Sequence, residues 1–129
     1  MVNRFFLLLG LLIFLTGCAP PETRAGPWTA STEYGDFTIY VTQDGTAISK
    51  VDYDFECGGF TTAAYDQPFR VPSETIEGRK LSISVSHSFI MVVSIEGSFN
   101  PDGEKLSGTV TFVPQKLGGG CTADFTSSR

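Results

Sequence analysis

From Trp28 onward the chain is dominated by alternation of apolar and polar side chains. Between Asp36 and Thr42, Phe37, Ile39 and Val41 fall on one side and Thr38, Tyr40 and Thr42 on the other, the period-two pattern of a half-buried strand. Gln43-Asp44-Gly45-Thr46 then reads as a tight hairpin turn, because its glycine supplies the positive φ such turns require. The returning segment carries Ile48, then Val51, Tyr53, Phe55 and Cys57, and the change from even to odd positions predicts a β-bulge between Ile48 and Val51. Phe60 to Tyr65 reads as a further short strand, ahead of an irregular stretch holding Pro68 and Pro72.

The longest alternation takes Leu81, Ile83, Val85, His87, Phe89, Met91, Val93, Ile95, Gly97 and Phe99 on one side, with Ser82, Ser84, Ser86, Ser88, Ser94 and Ser98 on the other. That is too long for one ordinary strand, so a turn is expected near Ser86-His87-Ser88. Asn100-Pro101-Asp102-Gly103 is another turn signal, after which Leu106, Gly108, Val110 and Phe112 share a face. Gly118 to Gly120 form a corner, and Cys121, Ala123 and Phe125 belong to the last strand. About eight short strands joined mostly by hairpins predict an all-β fold, an antiparallel β-sandwich or partly closed barrel, following an N-terminal signal helix.

The start of the chain obeys different rules. Met1 to Arg4 is a short basic head, and Phe5 to Leu15 has no polar side chain, the layout of a secretory signal. A bilayer-spanning helix takes about 20 apolar residues, and this run stops short of that at Thr16, Gly17 and Cys18. Leu15-Thr16-Gly17-Cys18 resembles the lipobox of bacterial lipoprotein precursors. The resemblance implies a diacylglyceryl group on the Cys18 sulfur carrying acyl chains such as palmitate. It also implies cleavage between Gly17 and Cys18 and a new amino terminus open to acylation. Two or three acyl chains would anchor the protein firmly, since each buried methylene adds roughly 0.8 kcal/mol of membrane affinity. The rival is an ordinary cleaved signal in which Cys18 is a free or paired thiol. Ala19 stands where an Asp commonly marks inner-membrane retention, so the expected location is the outer membrane or cell surface, on the exported side.

The expected organisation is therefore a signal peptide over 1–17, a lipidated cysteine and extended Pro-rich linker over 18–27, and one β-sandwich domain over 28–129. Arg4 is the only charged residue before Cys18, so the chain's net charge of -5 becomes -6 after cleavage. Such a balance excludes a nucleic-acid partner held by bulk positive charge and offers no polybasic patch to assist the anchor. Without the signal, leucine falls behind valine, isoleucine, phenylalanine and threonine, which favour a pleated surface.

A second resemblance covers most of Trp28 to Phe125. The order Trp28, Phe37, Val41, Asp44-Gly45, Ile48, Cys57, Ile83, Phe89, Ile95-x-Gly97-x-Phe99, Ser107-Gly108, Cys121 and Phe125 is similar to a group of uncharacterised secreted bacterial β-sandwich domains. It implies fold and compartment and brings no activity. The chain departs from that pattern at Phe125, where the group has a Trp.

Among residues that carry chemistry, the lipobox claims Cys18 and leaves Cys57 and Cys121, which in an exported chain are expected to form a disulfide. A metal site is the rival, but two thiols and the distant His87 supply at most three ligands without C-x-x-C spacing. Asp52, Asp54 and Glu56 alternate along one strand and so share a face opposite Tyr53 and Phe55. They form either a solvated acidic stripe or a calcium candidate short of the six to eight oxygens that ion takes. Asn100, Asp102 and Glu104 lack calcium-loop spacing and are explained by turn chemistry. His87 is the sole histidine, and Ser86 and Ser88 beside it project to the opposite strand face, so no nucleophile–base pair forms there. The chain has no G-x-S-x-G elbow and no phosphate-binding glycine loop, and no cofactor or catalytic residue is assigned. Trp28, Tyr34 and Tyr40 are candidates for an exposed aromatic platform of the kind that binds sugars. Two functions from different classes are carried forward. One is a lipid-anchored, non-enzymatic binding or structural module of the bacterial envelope or surface, with an envelope protein or glycan as candidate partner. The other is a small carbohydrate-active or calcium-dependent hydrolase or binding protein using the acidic face of Asp52, Asp54 and Glu56.

Overall fold

A computed structural model of the protein describes residues 24–68, 74–87, 91–114 and 119–128. The expected signal segment, Cys18, most of the linker and Gly118 lie outside the described residues. Eight strands follow in order: β1 (Gly26–Thr32), β2 (Gly35–Val41), β3 (Ile48–Cys57), β4 (Phe60–Pro68), β5 (Lys80–His87), β6 (Met91–Phe99), β7 (Lys105–Pro114) and β8 (Cys121–Ser128). They form two antiparallel four-stranded sheets, β1-β2-β3-β4 and β5-β6-β7-β8, each in sequence order. Among the described residues no hydrogen-bonded ladder joins the sheets, so the barrel alternative gives way to a sandwich. Among the described residues no helix is long and apolar enough to cross a membrane.

The alternation pattern sets the layers. Phe37, Ile39, Val41, Ile48, Val51, Tyr53, Phe55 and Cys57 are buried from sheet one. Leu81, Ile83, Met91, Val93, Ile95, Phe99, Leu106, Val110, Phe112, Ala123 and Phe125 are buried from sheet two. The expected bulge is present: Tyr40 pairs with Lys50 and Val41 with Ile48, so Ser49 is the extra residue and its hydroxyl donates to the Tyr40 carbonyl at 3.1 Å. Of the turn expected near Ser86-His87-Ser88, Ser86 and His87 belong to β5 and pair with Val92 and Met91, and Ser88 lies outside the described residues. The first strand starts at Gly26, so the last two residues of the expected linker belong to sheet one.

Three edge-on aromatic pairs span the layers. Trp28 meets Phe99 at 5.1 Å between ring centres, Phe37 meets Phe125 at 4.8 Å, and Phe55 meets Phe112 at 6.4 Å. Beyond Phe55 and Phe112, the Cys57–Cys121 disulfide ties β3 to β8, with 6.0 Å between the two Cα atoms. Gly97 and Gly108 face each other across β6 and β7, and a Cβ on Gly97 would lie 3.3 Å from the Phe125 ring and 3.1 Å from Leu106. The missing side chain at Gly97 is what lets Phe125 lie over the strand and reach Phe37.

Antiparallel order also gives the sandwich two ends. One carries the turns at 42–47 and 100–104, the Gly78 turn, and the start of β1. The other carries the turns at 33–34 and 58–59 and the disulfide.

Candidate functional site

The acidic residues of β3 stand where alternation puts them, on the outer face of sheet one, because Tyr53 and Phe55 are each 1% exposed on the inner face. Lys50 shares that face, with Nζ 3.7 Å from an Asp52 carboxylate oxygen and 4.3 Å over the Tyr40 ring. Asp54 pairs in register with Asp36 of β2, and the Glu56 amide donates to the Tyr34 carbonyl at 2.8 Å. Near the disulfide end, Glu33, Tyr34, Asp36, Asp54 and Glu56 border an open groove of ≈ 670 Å³. Successive same-face positions on a strand lie about 7 Å apart. The three carboxylates of the ladder are spread rather than gathered, and among the described residues no group of three or more Asp, Glu, His or Cys comes together to hold a metal ion.

The three aromatics expected on the surface separate. Trp28 is 1% exposed, a core residue whose face is covered, and its Nε1 donates to the Arg24 carbonyl at 2.8 Å. The correction follows from β1: Trp28 and Ala30 are its inward positions, so an aromatic at the domain's edge in sequence is interior in space. Tyr34 is half-buried against the core at the turn between β1 and β2. Tyr40 is half-buried with the Lys50 ammonium over its ring. No shared platform joins them: Trp28 faces inward, Tyr40 is at the β2 end near Val41, and Tyr34 is beyond the other end of that strand.

Inside sheet one, the Tyr53 and Thr62 hydroxyls are both buried, and neither has a hydrogen-bond partner of ordinary geometry among the described residues. Burial pushes the Tyr53 phenol above its ordinary value, and the Thr62 hydroxyl beside it works in the opposite direction. The pair lies behind the ladder rather than in its groove, so it gives the acids no catalytic partner. His87 ends β5, and its side chain lies outside the described residues.

The surface missed by residue-by-residue reading is the outer face of sheet two. Register aligns Ser84, Ser94, Thr111 and Thr122 across all four strands, and Ser98, Ser107 and Thr126 across three. Thr111 and Thr122 hydroxyls are 3.3 Å apart. The face has Lys80 and Lys105 against Glu96 and Asp124, so its charges cancel, and Val92 pairs with the exposed Val113 at one end. The serines were visible as the polar half of the alternation, but only the register of four strands shows that they form one surface. Compared with known family models, curated proteins and solved structures, the chain matches none.

Proposed function

We propose that the protein is a lipid-anchored, non-enzymatic β-sandwich module of the bacterial envelope, held on the exported side of the outer membrane or at the cell surface. The observation that carries the proposal is Leu15-Thr16-Gly17-Cys18 closing an apolar run behind a basic head. The Cys57–Cys121 bridge supports export, because disulfides persist in oxidising compartments. The binding role falls to the hydroxyl-rich, charge-balanced face of sheet two, whose donors and acceptors suit a neutral polyhydroxylated partner such as a glycan chain.

Expression in a bacterial host tests the anchor. The intact protein is expected in the detergent phase with a mass increased by acyl chains, and Cys18→Ser in the aqueous phase without it. Detergent-phase partitioning that survives Cys18→Ser, with no acyl mass lost, overturns the proposal. A glycan array probed with the soluble domain tests the binding role, and binding lost on Thr111→Lys is the expected result.

A further inference from the structure

The chain just ahead of β1 is fastened to one end of the sandwich by Arg24. Its Nη1 donates to the Gly78 carbonyl at 2.6 Å, its guanidinium carbon lies 5.1 Å from the Phe99 ring centre, and its carbonyl accepts from Trp28 at 2.8 Å. Arg24, the first described residue, is therefore held between the 42–47 turn, the Gly78 turn and the 100–104 turn. We propose that in the lipidated protein this end is the membrane-facing surface and that the disulfide end points away from the bilayer. The inference rests on the proposed Cys18 anchor.

Two independent arguments agree. The first is reach: the path from Cys18 to Arg24 is six residues, at most about 20 Å when fully extended, whereas a ten-residue strand such as β3 is roughly 33 Å long. A tether leaving at Arg24 cannot pass along the sandwich and bring the disulfide end to the lipid. The clasp matters here, because releasing Arg24 would lengthen the free tether. The second is charge: Arg24, Lys50, Arg79, Lys80 and Lys105, all the described cations, lie in the half nearer the clasp, where they offset Asp44, Glu74, Glu77, Asp102 and Glu104. The opposite end carries Glu33, Asp36, Asp54 and Glu56, and an anionic leaflet repels it.

Full-length lipidated protein in phosphatidylethanolamine–phosphatidylglycerol vesicles, with a nitroxide on the lipid headgroups, tests this. A fluorescent non-natural residue is placed at Glu104, near the clasp, or at Glu33, on the far turn; both positions are exposed. The expected result is strong loss of fluorescence at Glu104 and none above background at Glu33, with the difference narrowing in Arg24→Ala. Membrane-bound protein with equal loss at both positions, or greater loss at Glu33, overturns the orientation alone. Protein that stays in the supernatant without acyl mass overturns the anchor and the orientation together.

Discussion

Each sheet is a four-stranded meander, yet the two solve the problem of a β-sandwich differently. Sheet one inserts large rings, Trp28, Phe37, Tyr53 and Phe55, and accommodates them with two register shifts, one at Ser49 and one between Val51 and Tyr53. Sheet two runs in continuous register through all four strands and makes room by omission, at the facing pair Gly97 and Gly108. The outsides differ in parallel: an acidic ladder at Asp52, Asp54 and Glu56 on one, serine and threonine rows on the other. Bulges disturb a surface lattice and continuous register preserves it, so the regular sheet is the one suited to present a repeating array. The irregular sheet, with like charges side by side at Asp36 and Asp54 on its two central strands, gives up cross-strand pairing energy there.

The largest test of this contrast is Gly108→Val. A Cβ at that position falls on the Glu96 carbonyl and the Gly97 backbone, which no rotamer change relieves. A loss of about 4 kcal/mol or more, or failure to fold, is expected in urea unfolding. A mild effect would mean that sheet two yields as sheet one does. Next in size is the link between the sheets. Replacing Cys57 and Cys121 by Ala frees a 64-residue separation and should cost about 4 kcal/mol in the chain-entropy model, read as a lower midpoint of denaturation. The three aromatic pairs remain to hold the layers, so a compact but weakened domain is expected rather than separated sheets.

A smaller effect of opposite sign is expected inside sheet one. Tyr53 and Thr62 carry buried hydroxyls without partners of ordinary geometry among the described residues, so the double change Tyr53→Phe and Thr62→Val removes two desolvated groups at little cost in volume. It should be neutral or stabilising by about 1 kcal/mol in thermal unfolding. A clear loss would reveal that the pair is satisfied through the part of β4 whose side chains are not described.

The layers were legible from sequence because alternation survives every local irregularity: Ile48 and Val51 announce the bulge through the change of parity alone. The disulfide was legible once Cys18 was assigned elsewhere, leaving two thiols. Trp28 misled because periodicity identifies two faces without saying which is inside, and one aromatic in a short first strand does not settle the choice. Arg24 falls within the linker expected from sequence because its partners, Gly78 and Phe99, are remote along the chain. The hydroxyl face shared this difficulty, since its rows exist only across four strands.

The finest distinction lies between corresponding turns of the two sheets. In sheet two, Asn100 and Asp102 accept the Lys105 and Glu104 amides at 2.9 and 3.0 Å. In sheet one, a single Asp44 oxygen accepts the Thr42 hydroxyl at 2.7 Å, the Thr46 hydroxyl at 2.7 Å and the Thr46 amide at 3.1 Å. The Thr42 hydroxyl, then that of Thr46, holds the exposed carboxyl down at about 2, against 3.8 ordinarily. A depressed folded-state value contributes stability that is complete above the unfolded value and is lost as pH falls from there through about 2. Carboxyl NMR titration should place Asp44 there, and Thr42→Ala should raise it. An Asp44 titration unmoved by Thr42→Ala would show that the backbone of the turn, rather than its threonines, holds the charge.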